Sequence, residues 1–99
     1  MRTDTYGMEK ETQTLIQALC RQDGQAQRRV LQLYGTMIFG QVARIVTCQE
    51  DAEEVYQDVF VKVFRNIQSY DSRQASLATW MSRIAYNESL NFVRRAQRP

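Results

Sequence analysis

At 99 residues the chain fits one domain, because domains run to about 100 to 150 residues and a chain this short cannot build two separate cores. It contains no histidine, which removes the commonest general base, the Ser-His and Cys-His nucleophile pairs and most zinc-site geometries. With no Gly-rich phosphate loop either, enzymatic function and a cofactor are not expected, and the formal net charge of +2 falls far short of a strongly basic nucleic-acid binder.

No run approaches the roughly 20 apolar residues that cross a bilayer, and the polar opening Met1 to Thr5 lacks the apolar core of a signal peptide. The cytoplasm is therefore the expected location, without membrane insertion. Cys20 and Cys48 are far apart and have no neighbouring metal ligand, so each is expected as a reduced, buried thiol.

Four stretches carry helical periodicity, and none shows the period-two alternation of a strand. The first, near Glu9 to Arg21, places Met8, Thr12, Leu15, Ile16 and Leu19 on one side and is expected to close at Asp23-Gly24. The second, from about Gln25 to Thr47, offers a wide apolar face of Val30, Leu33, Tyr34, Met37, Ile38, Val42, Ile45 and Val46. Gly35 and Gly40 each cost about 1 kcal/mol against Ala inside such a helix, which a close helix contact at those positions would explain.

The third stretch is expected to begin at Asp51, as a side-chain cap, with Glu53 and Glu54 suiting the positive end of the helix dipole. Ala52, Val55, Tyr56, Val59, Phe60, Val63, Phe64 and Ile67 recur at spacings of three and four. A polar link from Ser69 to Ala75 leads to Ser76, a good cap for a fourth helix running to about Arg95. The fold class is all-α, a compact bundle of four helices, with residues before Met8 and after Arg95 frayed.

The fourth helix carries two stripes. Leu77, Met81, Ile84, Ala85 and Phe92 suit packing on the bundle, while Trp80, Arg83, Asn87, Asn91, Arg94 and Arg98 lie along another side. An aromatic, two amides and guanidinium groups, with Arg95 beside them, stack on bases, hydrogen-bond base edges and neutralise phosphates. A solvated face with Trp80 turned partly into the core would carry the same residues. On the third helix the outward positions Asp51, Glu54, Gln57, Asp58, Lys62 and Arg65 follow the helix dipole, and Val61 alone is apolar among them. It is either the centre of a protein-binding patch or a single exposed valine.

The segment Asp51-Ala-Glu-Glu-Val-Tyr-Gln-Asp-Val-Phe-Val-Lys-Val-Phe-Arg65 resembles the region 2.2 helix of the extracytoplasmic-function group of bacterial sigma factors. Ala78-Thr-Trp-Met-Ser-Arg-Ile-Ala-Tyr-Asn87 resembles the group's Trp-Leu-x-Arg-Ile-Ala-x-Asn signature, and Gly24 to Val46 fits the helix before them. The resemblance covers nearly all of the chain after Thr12. It implies a four-helix module whose region 2.2 docks on the β′ clamp helices of RNA polymerase core, at Asp51, Glu54, Gln57, Asp58, Val61 and Arg65.

It further implies that the last helix and the loop before it hold a flipped-out non-template base of the minus-ten promoter element. The matching positions are the loop Tyr70 to Ser76, including Ser72, Arg73 and Gln74, with Trp80, Arg83, Ile84, Asn87 and Asn91 around the pocket; Arg94, Arg95 and Arg98 continue the surface. Leu77 stands where housekeeping members carry an aromatic, and Met81 replaces the second of their paired tryptophans, which implies weak autonomous melting and stringent promoter choice.

Family members continue through a linker into a second helical domain, so the chain is expected to hold region 2 alone: 1–10 a flexible N-terminus, 11–97 the domain, 98–99 the start of the linker. An anti-sigma factor is the further expected partner. The competing reading from the residues alone is a helical protein-interaction (adaptor) domain without DNA binding, and a carboxylate-dependent enzyme stands third.

Overall fold

The chain is described from a computed structural model, in which the backbone is described for residues 2–97 and side-chain surroundings for residues 10–97. It forms α1 (Arg2–Cys20), α2 (Gly24–Ile45), α3 (Gln49–Arg65), a short 3₁₀ turn (Ile67–Ser69) and α4 (Leu77–Ala96). The all-helical expectation holds, and there is no strand among the described residues.

Helix boundaries differ from the periodicity in instructive ways. α1 begins well before Glu9, since polar residues extend a helix without adding to its apolar stripe. Met8 lies outside the residues with described side chains. The chain reverses at Gln22, not at Asp23-Gly24: Gln22 adopts a left-handed backbone at φ 59°. Around it the Asp23 N–H donates to Ala18 O (3.1 Å) and the Gln22 N–H to Leu19 O (2.8 Å), a Schellman closure normally built on glycine. The Gln22 side chain holds the turn by donating to Phe64 O at 3.1 Å and accepting from Gln27 at 3.1 Å. Asp23 then caps the next helix, its Oδ1 accepting from Gln25 N–H at 2.9 Å, so Gly24 is a helix start.

α3 starts at Gln49 with Cys48 in the capping position and no side-chain cap, so Asp51 is not the cap; it sits inside the first turn with Glu50, where the dipole alone favours it. Cys48 is exposed and Cys20 half-buried, because Cys48 lies on the polar link rather than on an apolar stripe. Ser76 does cap α4, its Oγ accepting from Thr79 N–H at 3.1 Å.

The three later helices pack on one another, and α1 rests on α2 and on the 3₁₀ turn. Val30, Ile38 and Val42 of α2 meet Val55, Val59 and Val63 of α3 and Met81 and Ala85 of α4, all fully buried, with Leu19 and Ile67 closing the α1 end. Each such aliphatic side chain adds about 1.5 to 3 kcal/mol of burial. Phe39, Tyr56, Phe60 and Phe64 form a ladder with ring centroids 5.6, 5.2 and 5.8 Å apart.

Two residues placed on the apolar face of α2 are not in the core: Leu33 is 49% and Met37 38% exposed. A face drawn from hydropathy is wider than the part of α2 that its neighbours cover. Of the two glycines, Gly35 is in close contact, a Cβ there meeting Tyr56 Oη at 2.7 Å, whereas Gly40 has nothing within 4 Å.

Candidate nucleic-acid and partner-binding surfaces

The loop before α4 is built by its own side chains. Tyr70 closes the 3₁₀ turn, its hydroxyl donates to Ala75 O at 2.8 Å, and its ring lies 5.3 Å from that of Trp80 at an interplanar angle of 50°. Between these fixed ends Asp71 makes an Asx turn, Oδ1 accepting from Arg73 N–H at 2.9 Å. The Arg73 guanidinium grips the same carboxylate through Nε (3.1 Å) and Nη2 (3.2 Å), and the Gln74 amide adds a bond at 3.4 Å.

These bonds set the local electrostatics. Hydrogen bonds from the Arg73 side chain hold the Asp71 carboxyl below its ordinary range, and the same bonds raise the Arg73 guanidinium. Burial, reinforced by Tyr34 and Asp71, pushes the Tyr70 phenol up, so it stays a donor to Ala75. Two of the Arg73 guanidinium donors are thus engaged by Asp71, while Ser72, Arg73 and Gln74 all remain exposed.

On α4 the two stripes divide much as their spacing suggests. Leu77, Met81 and Ala85 are buried, Ile84 and Phe92 half-buried. Arg83, Asn87, Asn91, Arg94 and Arg95 are exposed along the crest; Arg98 lies outside the described residues. Trp80 is half-buried and packs against the core as well as against Tyr70, so its role as an anchor holds alongside its place in the loop wall. Trp80 and Ile84 are one turn apart and share the α3 side of the helix with Glu88, whose Oε2 is 2.6 Å from Lys62 Nζ of α3.

The sequence reading missed three features here. Ser89 is fully buried where α4 packs inward. Lys62 belongs to the α3–α4 edge, not to the outer face of α3. Met37 and Tyr86, the latter 56% exposed, line an open groove on the α2 side of α4 with Thr79, Ser82, Arg83 and Asn87. Placing residues 82 and 86 on a helical wheel would have revealed their common side, but neither belonged to a stripe of uniform chemistry.

The outer face of α3 is separate. Glu54, Asp58, Val61 and Arg65 follow one another at helical spacing with Gln57 beside them, all exposed, and Asp51 half-buried at the start. Val61 is 48% exposed, an apolar centre ringed by charge. Charge is sorted by element: α2 carries Arg28, Arg29 and Arg44 and no acid, and on α4 Arg83, Arg94 and Arg95 face one acid, Glu88. The first turns of α3 concentrate Glu50, Asp51, Glu53, Glu54 and Asp58. A chain of small net charge therefore has a basic helix crest and an acidic patch.

The bundle thus presents an aromatic-walled loop leading into a basic, amide-bearing helix, and a separate charged face around an apolar residue. Residues 30–99 match the family model of Sigma-70 region 2. The RNA polymerase sigma-H factor of Pseudomonas aeruginosa is 30% identical over 92 residues, covering 92% of this chain and 47% of that protein. The ECF RNA polymerase sigma-E factor of Haemophilus influenzae is 30% identical over 81 residues, 82% of this chain and 42% of its own length. The ECF RNA polymerase sigma factor SigK of Mycolicibacterium vanbaalenii is 25% identical over 87 residues, covering 88% and 44%. The chain belongs to the sigma-70 region 2 family, on the side of its ECF members. It spans about half the length of the curated relatives it matches.

Among the described residues no helix is long and apolar enough to cross a membrane.

Proposed function

We propose that this chain is a transcription initiation module, acting in the bacterial cytoplasm, that binds RNA polymerase core and helps recognise and open the minus-ten promoter element. In this reading Asp51, Glu54, Gln57, Asp58, Val61 and Arg65 of α3 meet the β′ clamp helices. The loop residues Ser72, Arg73 and Gln74 with Trp80, Arg83, Ile84, Asn87, Asn91, Arg94, Arg95 and Arg98 hold the non-template strand. An anti-sigma factor covering the same surfaces is the proposed inhibitor, and no catalytic step is assigned to the chain.

The observation that carries the reading is the sorting of charge and hydrogen-bonding groups onto two separate helices. One is fitted to a polyanion and its bases, and the other is fitted to a protein with an apolar contact inside a charged rim. Opening duplex DNA costs about 1.4 kcal/mol per base-pair step, and one stacked base returns about 1 to 3 kcal/mol. The chain alone therefore binds single-stranded non-template DNA weakly and duplex hardly at all, and the polymerase core supplies the remaining contacts.

The test is fluorescence anisotropy at low salt with single-stranded oligonucleotides spanning minus-ten sequences, beside a clamp-helix pull-down. Sequence-dependent binding that is lost in an Arg83→Ala, Asn87→Ala double variant, together with capture by the clamp helices, is the expected result. A folded chain that binds no oligonucleotide, or that binds duplex tightly and specifically on its own, overturns it.

A further inference from the structure

We infer that Glu88 reads an exocyclic amino group on a base of the strand held along α4, with Lys62 fixing its carboxylate for that task; this rests on the DNA reading above. Glu88 is the one acid in the combined sequences of α2 and α4, and it stands one turn from Ile84 and beside Asn87. A carboxylate on a phosphate-binding face weakens binding by repulsion unless it makes a contact of its own. Its environment is suited to one.

The Lys62 ammonium lies 2.6 Å from Glu88 Oε2, and the two side chains are 52% and 15% exposed. The carboxylate is thus held from α3 while the cation keeps one side in water. This pairing makes the α3 edge of α4 nearly neutral around Glu88, whereas Arg83 and Arg94 on the crest are exposed cations. Phosphates go to the crest, so the bases turn toward the α3 edge, where Ile84 offers an apolar contact and Glu88 an acceptor.

An ionised carboxylate accepts and never donates, with about four acceptor positions on its two oxygens. Lys62 occupies one of them through Oε2, which leaves acceptor positions on the carboxylate. The exocyclic donors that an unstacked base can present there are the amino groups of cytosine, adenine or guanine, beside the ring N–H groups of guanine and thymine; thymine has a carbonyl where cytosine has its amino group and so meets the carboxylate less well on that edge. A fixed acceptor therefore selects an amino-bearing base at one position of the strand, a discrimination that flexible crest arginines cannot make.

The experiment takes the tightest-binding of a panel of short single-stranded oligonucleotides and removes its amino groups one at a time, cytosine to uracil, adenine to purine, guanine to inosine. Wild-type chain is expected to lose about tenfold in affinity at one position, the size of a single charge-assisted contact. Glu88→Met, which keeps the bulk and removes the acceptor, is expected to bring that ratio near unity by weakening the amino-bearing oligonucleotide toward the affinity of its amino-free counterpart; Lys62→Met is expected to reduce it partway.

Thermal unfolding of each variant checks the fold, and Glu88→Gln, with a weaker acceptor of the same shape, serves if Glu88→Met is unstable and is expected to diminish the ratio. An unchanged ratio in Glu88→Met overturns the inference, since the amino group is then read elsewhere. Equal tightening toward every oligonucleotide, with no position-dependent ratio in wild type, also overturns it by reducing Glu88 to a repulsive charge. Failure of the wild-type chain to bind any oligonucleotide overturns the DNA reading itself, and this inference with it.

Discussion

The hydroxyl of Tyr56 occupies the space that a side chain at Gly35 would need: a Cβ there would lie 2.7 Å from Tyr56 Oη. The ring cannot swing aside freely, because it stands edge-on between Phe39 and Phe60. Overpacking costs about 1 to 3 kcal/mol, and the better helix propensity of Ala returns about 1. Gly35→Ala is expected to destabilise the fold by about 1 kcal/mol, yet to stabilise it by about 0.5 to 1 kcal/mol in a Tyr56→Phe background, where the oxygen is gone. Urea titration of the four-member cycle measures this, and additive effects would show that the hydroxyl is not the obstacle. Gly40→Ala, with open space around it, is expected to stabilise by about 1 kcal/mol on its own.

Ser89 is fully buried, and its hydroxyl has no hydrogen-bond partner among the described residues. A buried, unpaired polar group costs about 1 to 3 kcal/mol, and Ala is also the better helix former. Ser89→Ala is expected to raise the unfolding midpoint, by about 1 kcal/mol in stability. A loss of stability would mean that the hydroxyl is bonded in solution.

The Asp71–Arg73 turn should respond to acid. Because folding holds the Asp71 carboxyl below its ordinary value, the turn's contribution is fully present above the unfolded carboxyl pKa of about 3.9 and is lost as pH falls through the lower folded value. Carboxyl-detected NMR of Asp71, followed with the Arg73 Nε–H resonance, should show both changing together in that acidic window and nothing between pH 5 and 8. Independent titration of the two signals would refute the pairing in solution.

Val61 provides the sharpest test of the α3 surface. It is exposed and contributes little to the core, so Val61→Glu should leave the unfolding midpoint within about 0.5 kcal/mol of wild type. Binding to polymerase core should fall at least about tenfold, because a charge then has to be desolvated at the centre of the contact. Equal core affinity in wild type and variant would move the polymerase contact away from this face.

The helices were legible from sequence because their valines and aromatics recur at three and four. So was the split of α4 into an inward and an outward side, since Leu77, Met81 and Ala85 are chemically unlike Arg83, Asn87 and Asn91. What escaped depends on partners distant along the chain. Lys62 looks like any outward lysine of α3 until Glu88 is brought beside it. Leu33 and Met37 share the hydropathy of core residues, yet 49% and 38% of their surface is left uncovered by the described neighbours. The helix stop at Gln22 carries no glycine to announce it; its left-handed backbone is held by bonds to Ala18, Leu19 and Phe64. Arg73, a free cation in sequence, is tied to Asp71 by a turn that composition does not reveal.

The sorting of charge by helix gives the molecule local patches of opposite sign that its net charge of +2 does not reveal. In the field of a polyanion the basic crest of α4 is drawn in and the acidic start of α3 is repelled. The same asymmetry has a bench-top signature: near neutral pH and low salt, the chain should be retarded on cation-exchange and anion-exchange resins alike. A protein of this net charge with evenly mixed residues would pass through the second.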